Sequence, residues 1–172
     1  MRLQILLAAF LFAATSPAIA DVRDGASERA LSLPNGTPAI IIPKEGWLLQ
    51  QERRRQGDTA VYYLLSNERS QLNFSVYIDK SESCQDAPAC LKSALQNPSY
   101  KEAKEVSDAE VGLFKAVQFY IDQPNGIAIK QAHIVAAAYV DGQWFDVHIS
   151  KAGQERPEMA PLVEFLKTVA VR

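Results

Sequence analysis

From Leu72 to Asp79 the chain alternates, with Leu72, Phe74, Val76 and Ile78 on one side and Asn73, Ser75, Tyr77 and Asp79 on the other. A period of two with one apolar face is the pattern of a strand lying half against a core, so a strand is predicted over 71–78. Shorter runs predict strands over 39–42, ended by Pro43, and over 60–65. Between 111 and 121 apolar side chains occupy both faces: Leu113, Val117, Phe119 and Ile121 alternate with Phe114, Ala116 and Tyr120. That predicts a strand covered on both sides. Residues 101–106 are compatible with a short edge strand. Two segments instead show helical spacing. Leu91, Ala94 and Leu95 share a face within 88–96, stopped by Asn97-Pro98, and Met159, Leu162, Val163, Leu166 and Val169 form a stripe within 155–172. Each predicts a helix with one core-facing side.

The turns give more than the strands do. Gln123-Pro124-Asn125-Gly126 has a proline that presets φ and a glycine free to take positive φ. Asp141-Gly142, between Val140 and Gln143, is the two-residue hairpin signature. Three strands over 111–122, 127–140 and 143–150 should therefore form an antiparallel meander. With Val140 facing Gln143, Ala138 opposes Phe145, Ala136 opposes Val147 and Ile134 opposes Ile149 on one face. Tyr139–Trp144, Ala137–Asp146 and Val135–His148 share the other. Alanines opposite large side chains predict a helix packed on the first face.

The N-terminus changes the setting. Met1-Arg2, an apolar run over 3–14 and the small residues Ala18-Ile19-Ala20 follow the order of a secretory signal. The run is too short for a hydrocarbon core that needs about 20 apolar residues. Residues 1–20 are read as a signal peptide cleaved near Ala20, 21–38 as a flexible leader, and 39–172 as a single α+β domain in the periplasm or secreted medium. Removing the signal leaves 17 basic against 20 acidic residues, a formal charge of −3. That balance gives no reason to expect nucleic acid as a partner, and no later segment is long enough to anchor the mature chain in a membrane. In an oxidising compartment Cys84 and Cys90, separated by five residues, are most simply a disulfide.

Chemistry-bearing motifs are few. There is no glycine-rich phosphate loop, no zinc-type cluster and no nucleophile elbow, and nothing calls for a cofactor. In the hairpin register His133 is the diagonal neighbour of His148, and Asp146 points the same way. These three residues could bind a divalent metal for a small hydrolase, or they could be polar decoration of a half-exposed face. Arg53, Arg54 and Arg55, after Glu52 and with Lys44 nearby, form the densest basic cluster, which could dock an acidic partner or anionic headgroups or simply be solvated. Tyr139 and Trp144, with Tyr120 and Tyr77, could form a recognition surface or a packed aromatic group.

A short hydrophobic strand running into Pro43-Lys44-Glu45-Gly46-Trp47, then strands, a helix, a meander and a C-terminal helix, resembles the PsbP-like fold. That group includes extrinsic photosystem II proteins, a Ran-binding import factor, bacterial envelope proteins and adaptors of secretion effectors. The resemblance, over about residues 37–170, implies an antiparallel sheet with helices packed on its faces, an α/β/α sandwich. It also implies a binding or assembly role with no inherited active site. The expected function is non-catalytic binding of another envelope protein. An immunity or inhibitor protein for a secreted toxin and the metal-dependent hydrolase are the alternatives.

Overall fold

The computed structural model describes residues 23–55, 60–80 and 84–172. The expected signal peptide, its expected cleavage point and the Gly57-Asp58 turn lie outside these residues. The chain opens with β1 (Arg23–Asp24), β2 (Glu28–Ser32) and β3 (Pro38–Pro43), which pair antiparallel into a small sheet. It continues through β4 (Trp47–Arg54), β5 (Ala60–Asn67) and β6 (Leu72–Asp79) as one meander. Helix α1 (Ala87–Ala94) and a 3-10 turn at Pro98–Tyr100 carry the chain across to β7 (Lys104–Val111). A second meander then runs through β8 (Phe114–Asp122), β9 (Lys130–Val140) and β10 (Gln143–Gly153). β10 returns to lie beside β6, giving a seven-stranded antiparallel sheet in the order β4-β5-β6-β10-β9-β8-β7. After α2 (Ala160–Thr168), a last strand β11 (Ala170–Val171) joins the small sheet against β3.

The α/β/α sandwich expected from the sequence is overturned. Eleven strands in two antiparallel sheets and only two α-helices are present among the described residues, so the fold is β-rich. The cause lies in segments without apolar periodicity. Residues 28–32, read as leader, form β2, and the polar stretch from Gln50 to Arg54 continues Trp47-Leu48-Leu49 as β4. The C-terminal helix is also shorter than its apolar stripe: Val169 leaves helical geometry at φ −79°, ψ 119°, and the next two residues become β11.

The β9–β10 register is the one the Asp141-Gly142 turn predicts, with Ala138 opposite Phe145, Ala136 opposite Val147 and Tyr139 opposite Trp144. It sends Phe145, Val147 and Ile149 into the main core, with Val61, Tyr63 and Leu65 of β5 and Phe74, Val76 and Ile78 of β6. The small sheet covers this face through Leu31, Ile40 and Ile42, and α2 through Leu162, Phe165 and Leu166. Three aromatic rings close the seam. The Phe165 ring lies 4.4 Å from that of Trp47 and 5.4 Å from that of Phe74. The two sheets are also tied by the Tyr63 hydroxyl, which donates to the Ser32 carbonyl at 2.7 Å. A fully buried hydroxyl needs such a partner to offset lost hydration.

On the opposite face α1 packs over β8 and β9. Asp86 caps it, its carboxylate accepting from the Ala89 amide at 2.8 Å. The Cys84–Cys90 disulfide forms beneath its first turn and packs on Ala137.

Phe145 is 1 % exposed, and truncation there removes a ring from the centre of the core. Phe145→Ala is expected to cost about 3–5 kcal/mol in urea denaturation; a loss below 1 kcal/mol on the same scale would contradict this packing. Reducing the Cys84–Cys90 bridge should cost about 1–3 kcal/mol, because the ring it closes is short, measured as unfolding with and without reductant.

Candidate functional site

The face of the large sheet turned away from the core is unevenly covered. Over β8 and β9, Val117, Phe119, Ile121 and Val135 are sealed beneath α1 and Tyr100. Over β4, β5 and β6 no helix lies on this face among the described residues. Every second residue there faces outward by register: Arg53 opposite Tyr62, and Tyr62 opposite Tyr77.

This open half joins two groups of sequence candidates. Arg53 and Arg55 line a shallow cleft of about 460 Å³ with Gln51, Tyr62 and Tyr77. Trp144 adjoins it, its ring edge-on to Tyr77 with centroids 6.0 Å apart. Arg55 reaches Asp79 at 3.9 Å, and Asp79 accepts from the Tyr77 hydroxyl at 3.0 Å. Burial, then Asp79, pushes the Tyr77 hydroxyl pKa up. Among the described residues no carboxylate pairs with Arg53.

The other two candidates separate from this group. Arg54 borders the cleft, but its guanidinium turns toward the small sheet, pairing with Glu52 at 3.1 Å and donating to the Pro34 carbonyl at 3.4 Å. Tyr139, opposite Trp144 across the hairpin, packs with it against the disulfide beside Ala137 and does not line the cleft. Tyr62 went unnoticed in the sequence, although its alternation with Val61 and Tyr63 places it on the outward face.

His133 and His148 do meet. His133 Nδ1 lies 2.9 Å from His148 Nε2, and His133 Nε2 lies 3.1 Å from the Gln131 Oε1. The two ring planes differ by 7° and the centroids are 5.1 Å apart. With the nitrogens at hydrogen-bond distance, that centroid separation is one contact plus a ring radius at each end. The imidazoles therefore lie edge to edge in nearly one plane. His133 is also parallel to Phe119, centroids 5.1 Å apart, and Tyr100 crosses above at 5.9 Å from His148. A cavity of about 480 Å³ opens onto both histidines, walled by the 3-10 turn at Pro98–Tyr100 and by the β8–β9 connection.

Asp146 makes no hydrogen bond or ion pair among the described residues. No group of three His, Cys, Asp or Glu able to hold a metal occurs among them, so His133, Asp146 and His148 do not converge as a metal centre. In an imidazole–imidazole hydrogen bond one nitrogen carries the proton and the other gives its lone pair, so neither of the two facing nitrogens is free to bind a metal.

Desolvation shapes the titration of this cluster. Burial lowers the His148 pKa to about 4 and, with the neighbouring His148, lowers that of His133 to about 3. Burial raises Asp146 to about 6. Tyr100 is pushed up to about 12, first by burial and then by Asp146 and Tyr62. Near neutral pH the two imidazoles are uncharged, while Asp146 carries a charge that is poorly solvated.

No protein-family model matches the chain, and no match is found among curated proteins. Among solved structures, a protein of Bacteroides thetaiotaomicron VPI-5482 aligns with a TM-score of 0.49 at 12% identity, covering 77% of this chain. The chain spans 45% of that protein's length.

The signs of these shifts fix a pH dependence. Each histidine has a folded value below its ordinary 6.5, so each removes stability as pH falls below about 6.5 toward 4 and 3. Asp146 acts oppositely: its folded value of about 6 lies above the ordinary 3.8, so it removes stability as pH rises through that window. Asp146→Asn should therefore stabilise the fold at pH 7 by roughly 1–3 kcal/mol, with partial solvent access to the carboxylate reducing the full shift. The gain should fade as pH is lowered toward 4 in urea titrations. A gain independent of pH would show that the charge is not its origin.

Proposed function

We propose that the chain is an exported, non-catalytic binding protein of the cell envelope that holds an acidic segment of another envelope protein on the open half of its large sheet. The observation that carries this reading is the placement of Arg53 and Arg55 beside Tyr62 and Tyr77 on one uncovered, shallow cleft. Arginine and tyrosine are the residue types that concentrate binding energy at interfaces, with Tyr burying a large amphipathic ring and Arg offering a fork to carboxylates. Arg53 stands without a carboxylate of its own among the described residues. The net charge of the molecule is slightly negative, so this positive site is local and favours a local acidic partner segment over nonspecific polyanion binding. Export is supported by the charged, apolar and small-residue order of residues 1–20 and by the disulfide. No helix among the described residues is long and apolar enough to cross a membrane.

Reversing Arg53→Glu with Arg55→Glu tests the reading. The wild-type chain and the variant are compared by co-purification from the native envelope with quantitative mass spectrometry. A partner retained by wild type should fall by about tenfold or more with the variant, and its retention should weaken as salt is raised. Equal recovery of the same proteins by both chains, at low and high salt, would exclude this cleft as the docking surface.

A further inference from the structure

The two histidines belong to a chain of hydrogen bonds whose direction can be deduced. Gln131 Oε1 can only accept, so His133 Nε2, at 3.1 Å, carries its proton. A neutral imidazole carries one proton, which makes His133 Nδ1 an acceptor. His148 Nε2, 2.9 Å away, must then be the donor. His148 Nδ1 is left with a lone pair that has no partner among the described residues. Gln131 and His133 thus act as positioning residues that fix the tautomer of His148.

The cavity that His148 helps to line is polar. Asn97, Asn125 and Gln131 supply amides, Tyr100 supplies a ring, and among the described residues the charges on the wall are Lys101 and Glu102, opposite in sign and adjacent in sequence. At about 480 Å³ it is of the size that holds a small organic molecule. An anion would meet Lys101 together with Glu102, so the wall offers it no net positive charge, and the imidazoles remain neutral. An apolar ligand would strand the amides and the His148 acceptor, at a cost for each polar group left unpaired. A metal ion would find the single free imidazole nitrogen of His148 and no group of three His, Cys, Asp or Glu ligands among the described residues.

We propose that this cavity binds a neutral, hydroxyl-rich ligand, a saccharide, with His148 Nδ1 accepting from one of its hydroxyls and the surrounding amides pairing with others. Hydroxyl groups both donate and accept, which matches a wall offering both. The site lies apart from the arginine cleft and does not depend on the partner-binding reading.

The test uses residues 21–172, labelled with nitrogen-15, and maltose, cellobiose and chitobiose as separate probes. Long-range proton–nitrogen spectra should show His148 protonated at Nε2 and bare at Nδ1. Titration with at least one of the sugars should move the His148 Nδ1 signal and the Tyr100 and Asn125 amides together. His148→Phe keeps a flat ring and removes the acceptor, and should weaken binding about tenfold. Should that variant fail to fold, Gln131→Leu serves instead: it releases the tautomer constraint, so the His148 nitrogen signals should change and sugar affinity should fall with them. The proposal is overturned if none of the sugars moves these resonances. It is equally overturned if His148 proves to be protonated at Nδ1 in the wild-type chain, or if binding survives unchanged in whichever variant folds.

Discussion

Asp141 and Gly142 hold φ at 50° and 77°, both in the left-handed region. A two-residue turn with that geometry matches the twist of the strands it joins and leaves one register open to β9 and β10. A slip by one residue would exchange every inward and outward side chain of that hairpin. Phe145, Val147 and Ile149 would leave the core, and Trp144, Asp146 and His148 would enter it. Because β10 also pairs with β6 and β9 with β8, the same register propagates across most of the sheet. The core, the histidine relay and the aromatic face all depend on it.

The two faces then meet different physical conditions. The inner face is closed by the small sheet and α2, so its apolar side chains gain the full benefit of leaving water. The outer face carries polar groups into partial burial, and they are satisfied to different degrees. His133 and His148 bond to each other and to Gln131, which meets most of their hydrogen-bonding capacity without charge. Asp146 has no such partner, and its raised pKa is the thermodynamic mark of that shortfall. A fold selected for stability alone has better choices at position 146 than a desolvated carboxylate. Costs of this kind concentrate at surfaces kept for recognition.

How much of this could be read in the sequence differs from element to element. The strand over 72–79 and the last hairpin were legible because period-two alternation and the Asp141-Gly142 pair are local signals. The diagonal approach of His133 and His148 followed from the register alone. β4 was not legible: only Trp47 at its start is buried, and the polar run after it lies at a sheet edge, where no second neighbour demands an apolar face. β2 and β11 were hidden for a related reason. They are short, and their pairing is decided by β3, which is remote in sequence from β11. The missing strands explain why the sequence favoured helical layers over a second sheet. Arg54 was grouped with its neighbours because adjacency in sequence says nothing of face, whereas a strand sends Arg53 and Arg54 to opposite sides.

The open half-sheet and the histidine cavity are separated by a narrow boundary. Tyr100 lies over His148 on one side, and its hydroxyl feels both Asp146 and Tyr62. Tyr62 in turn lines the arginine cleft. Asp146 itself lines neither cavity. Its charge reaches the Tyr100 hydroxyl through space and not through a hydrogen bond, which is how an unpartnered, desolvated carboxylate acts on its surroundings: over a few ångströms of low-dielectric protein, with no geometry of its own to enforce.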